Sequence, residues 1–283
     1  MIIVGVDGSR TGLEAAGWAA SEAALRGSPL TVAHAVPKWL CEEGAVHHYA
    51  EVARWMRGGA ESVLTSATER IRRDFPQVRV ESVLLPGDPR SALLKASEEA
   101  ELLVVGSGGI GGVRGLLVGS VAYGVAAHAR TDLVLIHEPP ETPRGEVVVG
   151  TDGSRGATRA LEFAFAEAGL RGARLRAVQA WAWPQPGGFE PASREHEQET
   201  LRTLKASLTP HRERHPGVHV VAEVVHGHPV EVLKEAGADA DLLVVGSRGH
   251  GQLAGMLIGS ISQALLHHAP CPLAVIRRAP SHA

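Results

Sequence analysis

The chain has 283 residues, more than one domain usually holds and suited to two of about 140 each. Hydrophobic residues make up 44% and charged residues 21%, with a formal net charge of -3. That balance excludes a disordered chain and the basic face of a nucleic-acid binder, and no apolar run approaches the roughly 18 residues of a membrane helix.

The chain opens Met1-Ile2-Ile3-Val4-Gly5-Val6-Asp7, which reads as a strand rather than the charged start of a signal peptide. Strands are predicted near 2–7, 30–36, 78–85, 102–106 and 132–137, with helical patterns at 11–26, 50–74, 89–99 and 119–129 between them. Leu102-Leu103-Val104-Val105 is continuously apolar, as a strand buried on both faces should be. Asp88-Pro89, and later His228-Pro229, place proline at a first helical position. Three prolines in Glu138-Pro139-Pro140-Glu141-Thr142-Pro143-Arg144 then mark a stiff boundary. Two domains are expected, 1–138 and 145–283, joined by a linker at 139–144.

The second half repeats the first. Val4-Gly5-Val6-Asp7-Gly8-Ser9-Arg10 returns as Val149-Gly150-Thr151-Asp152-Gly153-Ser154-Arg155, an offset of 145. Ala100 to Val121 returns as Ala240 to Ile261 at an offset of 140, with 13 of 22 positions identical. The second copy is therefore five residues shorter between residues 37 and 86, which assigns that stretch to the periphery. Alternating strands and helices in each copy predict an α/β fold: a parallel sheet with helices on both faces and right-handed crossovers. Cys41 and Cys271 occupy non-equivalent places in the copies and make no disulfide framework, so a reducing cytoplasm is the expected compartment.

After the fourth strand comes Gly106-Ser107-Gly108-Gly109, then nine residues, then Gly119-Ser120. The second copy has Gly246-Ser247-Arg248-Gly249, the same spacing, and Gly259-Ser260. Glycine lets backbone N–H groups approach an anion with no Cβ in the way. The glycine-serine pairs open the last helix, so unpaired amides and the helix dipole would face a phosphate. The serine hydroxyl would cap that helix or donate to a phosphate oxygen. Gly106, Gly108 and Gly111 also match the dinucleotide fingerprint G-x-G-x-x-G, but after the wrong strand and eight residues before a helix. Arg248 breaks the fingerprint in the second copy, and no lysine precedes Ser120 or Ser260 as a P-loop requires. Asp7 and Asp152 end the first strands, beside the point where an open parallel sheet changes winding direction and binds ligands. Either could accept from a ribose hydroxyl or an adenine amine, or cap the turn with Gly8 or Gly153.

These residues resemble the universal stress protein family in its tandem two-domain form, over nearly the whole chain. The resemblance rests on Val4-Gly5-Val6-Asp7-Gly8-Ser9, Leu242 to Gly251, Gly259-Ser260-Ile261, and His268-Ala269-Pro270-Cys271-Pro272. It implies two Rossmann-like, adenine nucleotide alpha hydrolase-like sheets of five parallel strands in the order 3-2-1-4-5. It also implies ATP as ligand, with or without Mg2+. Asp7 and Asp152 would contact the adenosine portion beside Val6 and Thr151, and Ala33 and Val178 would offer backbone groups to adenine. Gly106, Gly109, Gly119 and Ser120 with Val121, and Gly246, Gly249, Gly259 and Ser260 with Ile261, would hold the phosphates. Arg248 and His250 stand where the first copy has Gly108 and Ile110. An added cation predicts the second site to be the tighter by about 1 kcal/mol, provided that Arg248 reaches the phosphates.

Other residues carry less. His226/His228 and His267/His268 lack partners at zinc spacing and read as solvated. Trp39, Trp55, Trp181 and Trp183 read as semi-buried packing, and Cys271 as a small buried hydrophobe. With no nucleophile–base pair and no magnesium-type carboxylate cluster, the expected function is an ATP-binding stress or signalling module that hydrolyses ATP slowly at most. An unknown protein partner would read its state. The alternatives are an ATP-hydrolysing or adenylyl-transferring enzyme on the same architecture, and a nucleotide-free interaction domain. The two copies are expected to pack as an internal pseudo-dimer, with a homodimer of chains left open.

Overall fold

The computed structural model describes residues 1–41, 50–109, 118–137, 139–140, 142–154, 157–181, 194–249 and 258–277. The chain divides into two compact units, Met1–Pro139 and Pro140–Ala283. Gly111, Arg155, Trp183 and His250, used in the sequence reading, lie outside the described residues.

In the first unit the strands are β1 (Ile2–Gly5), β2 (Leu30–Val36), β3 (Val80–Pro86), β4 (Leu102–Gly106) and β5 (Leu133–Ile136). The helices are α1 (Arg10–Arg26), α2 (Ala50–Asp74), α3 (Pro89–Ala96) and α4 (Ser120–His128), with a short 3-10 turn at Lys38–Leu40. The strands pair in parallel in the order β3-β2-β1-β4-β5. Helices α1 and α2 pack on one face, and α3 and α4 pack together on the other. The inner strands are buried on both sides: Ile2, Val4, Leu102, Leu103, Val104 and all of β5 are 0% exposed. That is why they are apolar runs without alternation.

Helix α1 docks close because its buried residues are small: Ala15, Ala16, Ala19, Ala20 and Ala23. Ser9 caps it, accepting from Gly12 N at 3.1 Å, which supplies about 0.5–2 kcal/mol. Gly27 ends it at φ +64, in the left-handed region that favours glycine. Helix α3 starts at Pro89 behind Asp88, which accepts from Ser91 N at 3.1 Å.

The second unit repeats the plan. Its strands are β6 (Glu146–Gly150), β7 (Arg174–Trp181), β8 (Val220–His226), β9 (Leu242–Gly246) and β10 (Leu273–Ile276). Its helices are α5 (Thr158–Arg171), α6 (Arg194–Arg214), α7 (Pro229–Gly237) and α8 (Ser260–His268). The parallel order is β8-β7-β6-β9-β10, the same 3-2-1-4-5 arrangement counted within the unit. Even a buried ion pair recurs: Glu22 with Arg26 in α1 and Glu167 with Arg171 in α5. Such pairs are costly to break singly because a buried charge would be left behind. No helix among the described residues is long and apolar enough to cross a membrane.

Candidate functional site

In an open parallel sheet the strand order changes direction between the first and fourth strands, leaving a crevice beyond their carboxyl ends. In the first unit β1 ends at Gly5 and β4 at Gly106, and beyond them lies a cavity of about 570 Å³. Val6, Asp7, Ala33, Gly106, Gly109, Gly119, Ser120 and Val121 all line it, so the sequence-predicted set is brought together. The second unit places Thr151, Asp152, Val178, Gly246, Arg248, Gly249, Gly259, Ser260 and Ile261 around a cavity of about 290 Å³.

Asp7 serves its turn and faces the loop at once. Its Oδ1 accepts from Ser9 N at 3.0 Å and from the Ser9 hydroxyl at 2.5 Å. Its Oδ2 lies where a Cβ on Gly109 would come within 2.9 Å. In the second unit Asp152 Oδ1 accepts from Ser154 N at 2.9 Å, and a Cβ on Gly249 would stand 2.5 Å from Oδ2. Real Cβ atoms do not approach that closely, so the carboxylate and a side-chain-free loop residue require each other in both units. The turn-capping and site readings of these aspartates are therefore compatible.

The glycines differ in what they do. Gly106 lines the cavity, but a Cβ on it would lie 2.8 Å from the Thr11 carbonyl, so its absence also seats helix α1 against β4. Gly119 has ordinary room, the nearest atom to an added Cβ being Ser107 O at 3.5 Å. Its amide donates to that same Ser107 carbonyl at 2.7 Å, and Gly259 N to Ser247 O at 2.8 Å. Each bond closes the base of the loop. Gly119 and Gly259 are themselves the N-caps, with no side-chain cap hydrogen bond, so Ser120 and Ser260 are first helical residues and not caps. The first amides of α4 and α8 have no intrahelical acceptor and give each cavity one end suited to an anion.

The opposite end is apolar. Gly5 pairs with Ala33 in the register of β1 and β2, and a Cβ on Gly5 would come 2.9 Å from Leu93 of α3. Leu93 therefore rests on the strand backbone beside Ala33, with Ala35 and Pro89 along the same wall. Gly150, Val178, Leu233, Ala180 and Pro229 repeat the wall in the second unit. The sequence reading missed this wall; offset matching of Leu93 to Leu233 and Pro89 to Pro229 is the signal that finds it. The Ala33 carbonyl accepts from Val6 N at 2.9 Å and the Val178 carbonyl from Thr151 N at 3.0 Å. Each keeps only a second lone pair for an occupant.

The units differ in side-chain ties. Thr11 Oγ1 donates to Gly108 O at 2.9 Å, holding the first glycine loop to α1. Arg248, at the Gly108 position, is exposed and lines the second cavity, where solvent screens its charge.

Elsewhere the residues set aside in the sequence behave as packing. Trp39 packs on the cluster of Val36, Leu40 and Ala60, Trp181 meets His226 edge to face, and Trp55 departs from that reading at 80% exposure. Burial pushes the Cys271 thiol up to about 12, while Cys41 is exposed. Among the described residues no group of three or more His, Cys, Asp or Glu could hold a metal ion.

The profile of the Universal stress protein family matches residues 1–137 and 144–277. Universal stress protein Rv2005c of Mycobacterium tuberculosis is 35% identical over 288 residues, covering 98% of this chain and 97% of that protein. Universal stress protein Rv2623 of the same organism is 34% identical over 289 residues, with 98% and 96% covered. The crystal structure of a universal stress protein from Archaeoglobus fulgidus superposes with a TM-score of 0.75 at 20% identity, covering 98% of both chains. That last likeness speaks to the fold.

Proposed function

The chain belongs to the universal stress protein family, and from that premise we propose that each unit binds an adenine nucleotide, ATP in particular, as a stress-response binding module. One observation carries the reading: in both units a carboxylate, a glycine that must lack a Cβ, and a helix N-terminus converge on one cavity with an apolar wall. The parts suit the parts of the ligand. Amides of Ser120 and Val121, or of Ser260 and Ile261, would meet phosphate oxygens at the positive end of a helix dipole. Asp7 or Asp152 would accept from a hydroxyl or amine of the adenosine. The wall of Leu93, Ala33 and Ala35, or Leu233, Val178 and Ala180, would take the base. Volumes of about 570 and 290 Å³ fall within and just under the roughly 300–1,000 Å³ of small-molecule sites. A magnesium ion would come with the phosphates.

Binding, rather than rapid turnover, is the reading because each described lining carries a single carboxylate, and in the first unit Asp7 is tied to its own turn through Oδ1. Nucleotide occupancy would then be what a protein partner reads, with hydrolysis slow at most. Purified protein incubated with ATP and a generic acceptor is expected to return the nucleotide intact. Fast release of ADP or AMP with a modified acceptor would favour the enzyme reading instead.

A further inference from the structure

Helix α2 changes character at Gly58-Gly59. Its buried residues, Ala60, Leu64, Ala67, Thr68 and Ile71, all follow the glycine pair. Residues 50–57 bury no side chain fully: Ala53 and Met56 are half-buried against the cluster of Val36, Leu40 and Ala60, and Val52 and Trp55 are 49% and 80% exposed. Nothing in the packing asks for glycine at either position. A Cβ on Gly58 or Gly59 would meet no atom within 4 Å, and neither residue has a positive φ. Glycine is, after proline, the residue that least favours a helix interior. By the 140-residue offset the second copy carries Gln198-Glu199 there, both good helix formers. The pair therefore weakens α2 at the boundary between its anchored part and its loosely held part.

The loosely held part rests on the strand that lines the first nucleotide cavity. Ala33, His34 and Ala35 of β2 line that cavity, and the next residue, Val36, is buried in the cluster under α2. The packing there is incomplete, because a separate cavity of about 220 Å³ remains between Val36, Leu40, Leu84 and Arg57. Arg57 adds one polar tie, donating to the Leu40 carbonyl. Past the glycines, Val63 rests on Gly8 of the Asp7 turn, its Cγ2 3.1 Å from where a Cβ on Gly8 would stand. Helix α2 thus touches the ligand site twice, at the aspartate turn through its anchored part and at the end of β2 through its loose one.

We propose that residues 50–57 are a latch that detaches as a unit at Gly58-Gly59, and that nucleotide in the first cavity holds it closed. The ligand rests on the nucleotide reading above. The route is β2: a nucleotide against residues 33–35 fixes the strand end, and Val36 so fixed keeps the cluster on which Ala53 and Met56 pack. A ligand shifts such an equilibrium only by its differential affinity for the two forms, so the nucleotide binds the latched form more tightly. The order of 50–57 is thereby a surface report of first-site occupancy, and the second unit, with Gln198-Glu199, has no counterpart to it.

Hydrogen exchange of the full chain, followed residue by residue by NMR, tests the latch. Helical amides bond to the carbonyl four residues before, so detachment of 50–57 frees the amides of 54–61 together and leaves those from 62 onward protected. Exchange is expected to show that step, and saturating ATP to slow the amides of 54–61 at least about fivefold, the low end of coupling between linked sites. Gly58→Ala combined with Gly59→Ala, both methyls in open space, should slow them at least about tenfold without ATP. Protection that climbs gradually from 54 to 64, as in simple fraying, would overturn the latch. So would exchange of 54–61 indifferent to the double substitution, or indifferent to ATP that calorimetry shows bound and lost in Asp7→Ala. Each of those results leaves nucleotide binding standing. Absence of ATP binding at the first site would overturn the nucleotide reading there, and the ATP dependence of the latch with it.

Discussion

The aspartate closes the Asp-Gly-Ser turn in both units, but among the described residues the serine hydroxyl joins in only the first. Ser9 Oγ donates to Asp7 Oδ1 at 2.5 Å, accepts from Gly12 N at 3.1 Å and lies 3.2 Å from Thr11 Oγ1. Ser154 Oγ is buried with no hydrogen-bond partner among the described residues. His34 Nδ1 bonds to Val6 O at 2.8 Å, whereas Gln179 Oε1 at the matching position is buried and unpartnered among them. Helix α1 begins directly behind its serine cap, while α5 begins at Thr158, three residues later by the repeat. A duplicated chain can thus keep strand order and motif spacing yet divide the work. The first site is preorganised by bonds within the protein. The second keeps unmet hydrogen-bonding capacity, a nearby cation in Arg248 and a narrower cavity.

The two units should differ most at the loop glycine. Gly249→Ala would push a Cβ to 2.5 Å from Asp152 Oδ2, where Gly109→Ala reaches only 2.9 Å from Asp7 Oδ2. The forced shift should cost about 1–3 kcal/mol of nucleotide affinity in the second unit, and less in the first. Site-resolved titration of the two variants checks the order, and equal losses would remove the asymmetry.

A smaller effect is expected at Thr11. Thr11→Val keeps the shape and removes the hydroxyl that holds Gly108 O, so the first glycine loop loses about 0.5–1.5 kcal/mol of restraint. Hydrogen exchange of the Gly108 and Gly109 amides should speed up accordingly. The second unit has Gly156 at the matching place in sequence and no hydroxyl to lose.

The smallest effect is an acid limb confined to the second unit. Ile71 and Phe75 of the first unit correspond by the 140-residue offset to His211 and His215. Burial, and then the Arg214 guanidinium, hold the His211 pKa below its ordinary 6.5, against a weaker opposing pull from Glu162 on α5; His215 adds to the lowering. Arg214 Nη2 donates to His211 Nδ1 at 3.1 Å, which requires a bare ring nitrogen, and Phe165 stacks on the ring at 5.4 Å. A depressed histidine value means that the unfolded chain takes up the proton first. The contribution of His211 to the second unit's stability is therefore fully present above pH 6.5 and is lost as pH falls below it towards the folded value. Thermal unfolding followed against pH should show this slope, and His211→Ile should flatten it.

The elements were legible where burial writes directly into sequence. Leu102 to Val105 and Leu242 to Val245 are buried on both faces and therefore unbroken apolar runs. Asp88-Pro89 and Gly27 announce their helix ends through backbone conformation. Which glycine serves which purpose was not legible. Gly106 and Gly109 look alike in a motif, yet one omits a Cβ to seat helix α1 and the other to clear a carboxylate. That distinction depends on what lies across the fold. The capping role expected of Ser120 and Ser260 failed for a related reason, because one residue of shift at a helix start decides who caps. The base-side wall was invisible singly, since Leu93 is one leucine among many until Gly5 places it.

Nucleotide binding by both units is tested most directly by calorimetric titration of ATP into the intact chain, repeated with Asp7→Ala and Asp152→Ala separately. Two bound ATP are expected for the unaltered chain and loss of one in each variant, a different one each time. No ATP bound to the unaltered chain, or two bound with equal affinity in both variants, would contradict it.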